Sequence, residues 1–385
     1  MVGEAMSRRF AAQRLAGYGR AGWGRRFAPS EAVEQRCRTT RLATFDAARG
    51  PWEQHAAEQD NFFITYEFAR AWWQVYGRGG ELFLHQVFDE RGQSIGILPL
   101  YVSTIRFGRF ARFIGHGPAD QLGPVCGAES RPAVAAALRD LIDGAGQPST
   151  LLAERMRADE GWQEMLHGRH IRRESFSLID LRELDWEGWL ETKSANFRQQ
   201  TRKAERRLAR DHRLEYRLVT DEAEVLPALE TLIRLHDARW RGASAAFDPK
   251  RRAFHERFAM AAARRGWLRV LLATIDGEPA AAWLGYRYGG AESSYLMGWA
   301  PEWAPHNVGS VLRMHAIREA TGHVDEFRLL LGNEPHKQRL ATADPGLDTF
   351  LVGDAMLPRV AHALIEQRHR TPAVMRRLVA SRLGW

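Results

Sequence analysis

Cysteine is scarce in this chain, with Cys37 and Cys126 the only two among 385 residues. Neither lies in a CxxC or CxxH spacing, so no zinc site is suggested. Such sparing use fits a reducing cytoplasm, the location we expect. His167 and His170 make one HxxH pair, but no acid or cysteine cluster accompanies it. It reads as a helix end and not as a metal site. No apolar run approaches the ~20 residues that a membrane-spanning helix needs. The first 38 residues are rich in Arg and Gly and lack the apolar stretch of a signal peptide. Low-complexity tracts and repeats of roughly 20–50 residues are also missing.

What the chain does have is positive charge: a formal net charge of +8 and an isoelectric point near 9.8, much of the excess being Arg. That balance permits binding to phosphates, nucleic acid or an anionic membrane surface without choosing among them. A coding bias toward Arg and Ala gives the same balance. The length exceeds one ordinary core, so two domains are expected. A 45% hydrophobic and 26% charged share is that of a folded protein, so no large part need be disordered. We expect a disordered basic arm over 1–39, domains over 40–180 and 181–355, and a basic helical tail over 356–385. The tail is a candidate for peripheral contact with a membrane or a partner.

Phe68, Trp72 and Tyr76 recur at spacing four and predict a helix over 65–76 with an aromatic core face. Segments 81–88 and 94–102 read as a strand pair, with Pro99 pointing to an edge or bulge. Helix 131–143 and strands 150–155 and 176–180 follow. In the second half, 186–210 reads as one long helix and 215–220 as a strand. Asp221 caps a helix over 222–239 in a D-x-x-E arrangement with Glu224. A helix over 250–265 precedes strands 267–275, 279–288 and 293–299, the first two joined by Asp276-Gly277. Helix 309–321, strand 326–331, a helical turn over 334–341 and a last strand complete the order. That alternation gives an α/β fold with a mixed sheet.

Four places can carry chemistry. Asn307-Val308-Gly309-Ser310 opens a helix just after a strand. Such a helix start offers unpaired N–H groups to phosphate oxygens. Gly309 allows close approach and Ser310 adds a hydroxyl, although an ordinary helix capped by Asn307 explains the same residues. Gly332-Asn-Glu-Pro-His-Lys337 follows a strand and puts polar groups at its C-terminal end, where ligands sit in open α/β sheets. Glu334 or His336 suits a general base, and Lys337 suits an anion. Arg198, Arg202, Arg206 and Arg210 make a basic stripe, either a solvated face or an RNA contact. His236, Arg239 and Trp240 cluster at a helix end beside a loop, where substrate contacts often lie.

Taken in order, these segments resemble the CelD-like branch of the GNAT acyltransferase superfamily, related to FemAB peptidyltransferases. The residues that carry it include Ile97-Leu-Pro-Leu100, Ala119-Asp120-Gln121-Leu122-Gly123-Pro124, the basic helix from Ser194, Leu235-His236 with Arg239-Trp240, Gly277 to Ala282, the Gly309 helix start, and Phe327 through Gly332, Glu334 and Lys337. The resemblance implies two tandem GNAT-like domains with mixed central sheets flanked by helices, and an acyl-CoA cleft in the second. It implies acetyl-CoA or another acyl-CoA as co-substrate with no permanently bound cofactor, and a small-molecule, sugar or amine acceptor. Polysaccharide or cell-envelope biosynthesis is the implied setting. The phosphate-binding turn maps onto Asn307 to Ser310. Glu334, Lys337 and His236 are the catalytic candidates; Asp120, Arg239 and Trp240 would touch substrate. The sequence before Gly309 departs from the usual Q/R-x-x-G-x-G/A signature. Two other readings stand beside this one: aminoacyl transfer from charged tRNA, as FemAB relatives perform, and a non-catalytic scaffold.

Overall fold

The computed structural model describes residues 37–105, 108–144, 148–240, 244 and 246–353. The first half runs β1 (Arg38–Leu42), α1 (Phe45–Ala56), α2 (Tyr66–Tyr76), β2 (Glu81–Phe88), β3 (Ser94–Ile105), β4 (Gly108–Phe113), α3 (Arg131–Asp143), β5 (Leu151–Arg157), α4 (Trp162–Met165), β6 (Arg169–Glu174) and β7 (Phe176–Asp180). The second runs α5 (Trp186–Glu191), α6 (Ala195–Asp211), β8 (Leu214–Val219), α7 (Glu222–Trp240), α8 (Pro249–Arg264), β9 (Leu268–Ile275), β10 (Glu278–Tyr288), β11 (Ala291–Trp299), α9 (Val308–Ala320), β12 (Glu326–Leu331), α10 (Pro335–Leu340) and β13 (Leu347–Val352).

Local chemistry sets most of these boundaries. The Thr65 hydroxyl accepts from the Phe68 N–H and starts α2. Asp276 and Gly277 both take positive φ, 54° and 93°, as a tight two-residue hairpin turn requires. The single helix expected over 186–210 is in fact two. It breaks at Thr192-Lys193-Ser194, where the Ser194 hydroxyl caps the Phe197 N–H at 3.2 Å. The Lys193 ammonium donates to the carbonyls of Leu340 and Ala341 at 2.7 and 3.2 Å, tying the break to the end of α10.

Two mixed sheets result. The first has the order β1-β2-β3-β4-β5-β13-β6 and the second β7-β12-β11-β10-β9-β8. Neither is built from one continuous stretch, because β13 inserts between β5 and β6 while β7 pairs with β12. The boundary expected between 180 and 181 falls inside this exchange. β1 starts within the arm expected over 1–39. The rest of that arm, before Cys37, and the tail over 356–385 lie outside the described residues. From Cys37 on, the described chain forms one compact unit. One large core spans both halves: Phe62 stacks on Tyr286 with centroids 4.6 Å apart, and Phe68 meets Phe258 edge-on at 4.9 Å.

Two imidazoles in this interior, His85 and His255, are pushed down to about 4, chiefly by burial. The unfolded chain takes up those protons near pH 6.5, whereas the folded one resists until about 4. Between those values the unfolded state binds more protons, so stability falls as pH falls. We expect the melting temperature to drop from pH 6.5 to pH 4, and less steeply in His85→Leu. An identical slope in that variant would remove His85 from the account.

Candidate functional site

The site begins with a fault in β11. Opposite β10, Leu284 pairs with Leu296 and Gly285 with Ser294, which leaves Tyr295 as an extra residue. Such a bulge bends the strand. On its other side β11 runs parallel to β12 over three pairs, Ala291–Glu326, Glu292–Phe327 and Ser293–Arg328, and pairs no further. β12 turns away through Leu330, whose φ is 63°. The backbone edge of β11 beyond Ser293 therefore faces a V without a strand partner among the described residues. The Tyr295 hydroxyl donates to the Pro118 carbonyl at 2.9 Å, and the Leu331 N–H donates to Asp120 Oδ2 at 3.4 Å. A loop of the first half thus touches both arms of the V.

At the C-terminal end of β11 stands the first turn of α9. Asn307 precedes it in a left-handed conformation, φ 56°, and its side chain makes no cap. Val308 and Gly309 are buried, whereas Asn307 and Ser310 are exposed. A Cβ on Gly309 would lie 2.6 Å from Trp299 Cε3. The structure therefore gives this glycine a packing reason: it faces the indole and lets α9 approach β11. Val308 commits its side chain to the core, so its N–H alone is available to a ligand.

Two arginines converge here. The Arg239 guanidinium lies 3.5 Å above the Trp299 ring centroid and 4.9 Å from that of Trp240. Arg313, from α9, places Nη2 3.9 Å from Met297 Sδ. Neither has a carboxylate partner among the described residues. Burial lowers both, and the field of Arg239 helps bring Arg313 down to about 10. Burial, with Arg313 alongside, pushes His336 down to about 4, so its imidazole is neutral at physiological pH.

The short α10 closes the far arm. Gly332 has φ 121°, and a Cβ there would meet the Glu334 carboxylate. Lys337 Nζ donates to the Leu331 carbonyl and pairs with Glu334 at 3.3 Å. Burial pushes the Glu334 carboxyl up, but its own backbone N–H, Lys337 and His336 outweigh this and hold it below the usual range. For Asp120 burial prevails over Arg155 and the Leu331 N–H, and its carboxyl is raised.

Asp120, Arg239, Ser310, Glu334 and Lys337 thus gather around one pair of diverging strands. Trp240 is 44% exposed beside Arg239. The His236 side chain is buried: it is 5% exposed, and its ring packs among Phe247 and Trp240. Sequence reading passed over Arg313, which lies one turn beyond the Gly309-Ser310 helix start that it singled out. A cavity of about 180 Å³ between α6, α9 and α10 is lined by Gln200, Thr201, Ser310, Arg313 and His336. A larger one, about 450 Å³, lies between α2 and α8 and holds none of these groups. The stripe on α6 is largely engaged locally: Arg202 pairs with Glu187, Arg210 with Asp211, and Arg198 donates to the Lys193 carbonyl.

Residues 195–338 match the family model of the acetyltransferase (GNAT) domain. No curated protein sequence matches the chain. Among solved structures, FemX aligns with 82% of this chain and 95% of its own, at 10% identity and a TM-score of 0.57. The C-terminal domain of a protein assigned as lysylphosphatidylglycerol synthetase from Agrobacterium fabrum aligns over 88% and 98%, at 14% identity and a TM-score of 0.54. A conserved protein of unknown function from Bacteroides thetaiotaomicron gives 82% and 99%, 11% identity and 0.55. At these identities the likeness is one of fold.

Proposed function

Because residues 195–338 match the GNAT acetyltransferase domain model and the fold is shared with FemX, we propose that this chain is an acyltransferase that carries an acyl group from a CoA thioester to an amine or hydroxyl acceptor in the V between β11 and β12. The carrying observation is that β11 and β12 pair over three residues and then part, beside two guanidiniums with no carboxylate partner among the described residues. The N–H groups of Val308 to Ser310 and the Ser310 hydroxyl would take diphosphate oxygens. Arg239 and Arg313 would take a further anionic group of donor or acceptor. Unpaired N–H groups of β11 would receive the thioester oxygen as charge develops on it. Lys337 and Glu334 hold the end of β12 in place. Acetyl is the simplest donor group, and a sugar of an exopolysaccharide or of the cell envelope is the acceptor class that the CelD-like resemblance favours.

The likeness to FemX favours a second reading, aminoacyl transfer from charged tRNA, with α6 facing the nucleic acid. Thermal shift separates the two. A ligand that binds only the folded state stabilises by mass action, by about 2.7 kcal/mol at a hundred times its Kd. We expect millimolar acetyl-CoA or a longer acyl-CoA to raise the melting temperature. A shift with aminoacyl-tRNA alone would transfer the assignment to the second reading, and no shift with either would leave a scaffold.

A further inference from the structure

The first sheet repeats the parting of strands. β4 and β5 run parallel over two pairs, Ala111–Leu151 and Arg112–Leu152, and then separate. Three ionisable side chains meet at the parting ends. Glu154 Oε2 accepts from Arg112 Nε and Nη2 at 3.0 and 2.7 Å and lies 2.9 Å from His116 Nδ1. Arg112 is buried and the Glu154 side chain is 14% exposed, whereas that of His116 is 33% exposed. The Trp72 indole donates to the His116 carbonyl at 2.8 Å and fixes its backbone.

Charge decides the tautomer of this imidazole. Arg112 and His116 hold Glu154 far below the usual carboxylate range despite its burial, so at neutral pH its oxygens only accept. A bare Nδ1 lone pair 2.9 Å from Oε2 would be repelled, which places the ring proton on Nδ1. Arg112 Nη2 is also 3.1 Å from Nδ1, a longer contact than its own 2.7 Å donation to Oε2 and than the 2.9 Å between Nδ1 and Oε2. The free lone pair is then on Nε2, which no described residue engages. The loop carrying His116 runs on to Pro118, which touches β11, and to Asp120, which touches β12. The loop that begins at His116 thus reaches both arms of the V, two and four residues further on, from the opposite half of the molecule.

We propose that His116, oriented by Glu154, is the catalytic residue that takes the proton of the acceptor. The assignment rests on the reading of the V as the transfer site. The acceptor lone pair forms a bond to the acyl carbonyl carbon while its proton passes to Nε2. The oxyanion collapses, the C–S bond breaks, and the departing thiolate takes the proton from the imidazolium. The charged groups around the ring are Arg112 from β4 and Glu154 and Arg155 from β5, with the neutral Tyr101 phenol of β3 beside Arg112. Burial outweighs Glu154 and keeps the imidazole below its ordinary value. Activity should accordingly hold across neutral pH and fall on the acid side.

The test is acetyl transfer from acetyl-CoA to glucosamine and to hydroxylamine, followed by thiol release. His116→Gln should keep the wild-type melting temperature and KM for acetyl-CoA, lose about 100-fold or more in kcat, and lose the acid limb of the pH profile. Undiminished kcat or an unchanged acid limb in that variant, beside an active wild type, overturns the assignment alone. A wild type inactive with acetyl-CoA and longer acyl-CoAs, and unshifted by them in melting, overturns the transfer reading and the assignment with it. Should His116→Gln fail to fold, nitrogen NMR of the wild type decides. Nδ1–H with an unprotonated Nε2 is expected, and the reverse tautomer refutes the proposal.

Discussion

Replacing Arg313 by Met is expected to yield a protein that resists heat better and holds its substrate worse. The guanidinium is half-buried and has no carboxylate in contact among the described residues, and Arg239 adds a second positive charge nearby that the more distant Glu334 only partly offsets. An uncompensated charge away from water is unfavourable, and an apolar side chain of similar length relieves this. The gain is about 1–3 kcal/mol, on the scale of other buried charges replaced by hydrophobes. The same charge contributes to binding an anion. A hydrogen bond to a charged group is worth about 1.5–3 kcal/mol, so the Kd for acyl-CoA should rise roughly tenfold to hundredfold. Titration calorimetry and a melting curve read both quantities on one sample. A lower melting temperature with unchanged affinity would mean that Arg313 is a packing residue.

Gly298→Ala should instead cause a large loss of stability. A Cβ at that position would lie 2.3 Å from the His236 nitrogen and 2.7 Å from the Leu235 carbonyl carbon. Both are backbone atoms of α7, so no side chain can swing aside. The helix itself must lift off β11, and overpacking of that kind costs about 3 kcal/mol or more. Arg239 sits one turn further along α7 and would leave the face of Trp299. We expect a marked fall in the urea midpoint and weaker acyl-CoA binding together. Gly309 offers a milder comparison, because the obstacle there is the Trp299 ring, a side chain with some room to move. A Gly298→Ala protein as stable as the wild type would show that α7 and β11 are packed less tightly than this geometry states.

Periodicity exposed the elements whose faces differ in polarity. The aromatic face of α2, the turn at Asp276-Gly277 and the strand–helix alternation of the second half were all legible. α1 was not, because Gly50-Pro51 reads as a break, although Pro51 lies within the helix and Trp52 is completely buried. β4 and β6, Gly-Arg-Phe-Ala-Arg-Phe and Arg-His-Ile-Arg-Arg-Glu, carry too much charge to resemble strands until their neighbours neutralise it. The gathering of Arg239, Glu334 and Lys337 could be anticipated, since each ends or follows a regular element. The bulge at Tyr295 and the partnership of His116 with Glu154 could not. Both depend on which strands lie side by side, and no local pattern encodes that.

The insertion of β13 between β5 and β6 constrains how the molecule can be made. A ribosome delivers β5 and β6 long before β13, and β6 joins the first sheet only through β13. Until Leu347–Val352 has emerged, that sheet has an open seam in its interior, and the nascent chain exposes unpaired edges there. The amino-terminal half therefore cannot mature first and await its partner. Cutting the gene at the midpoint would give two fragments, each missing a strand that the other holds.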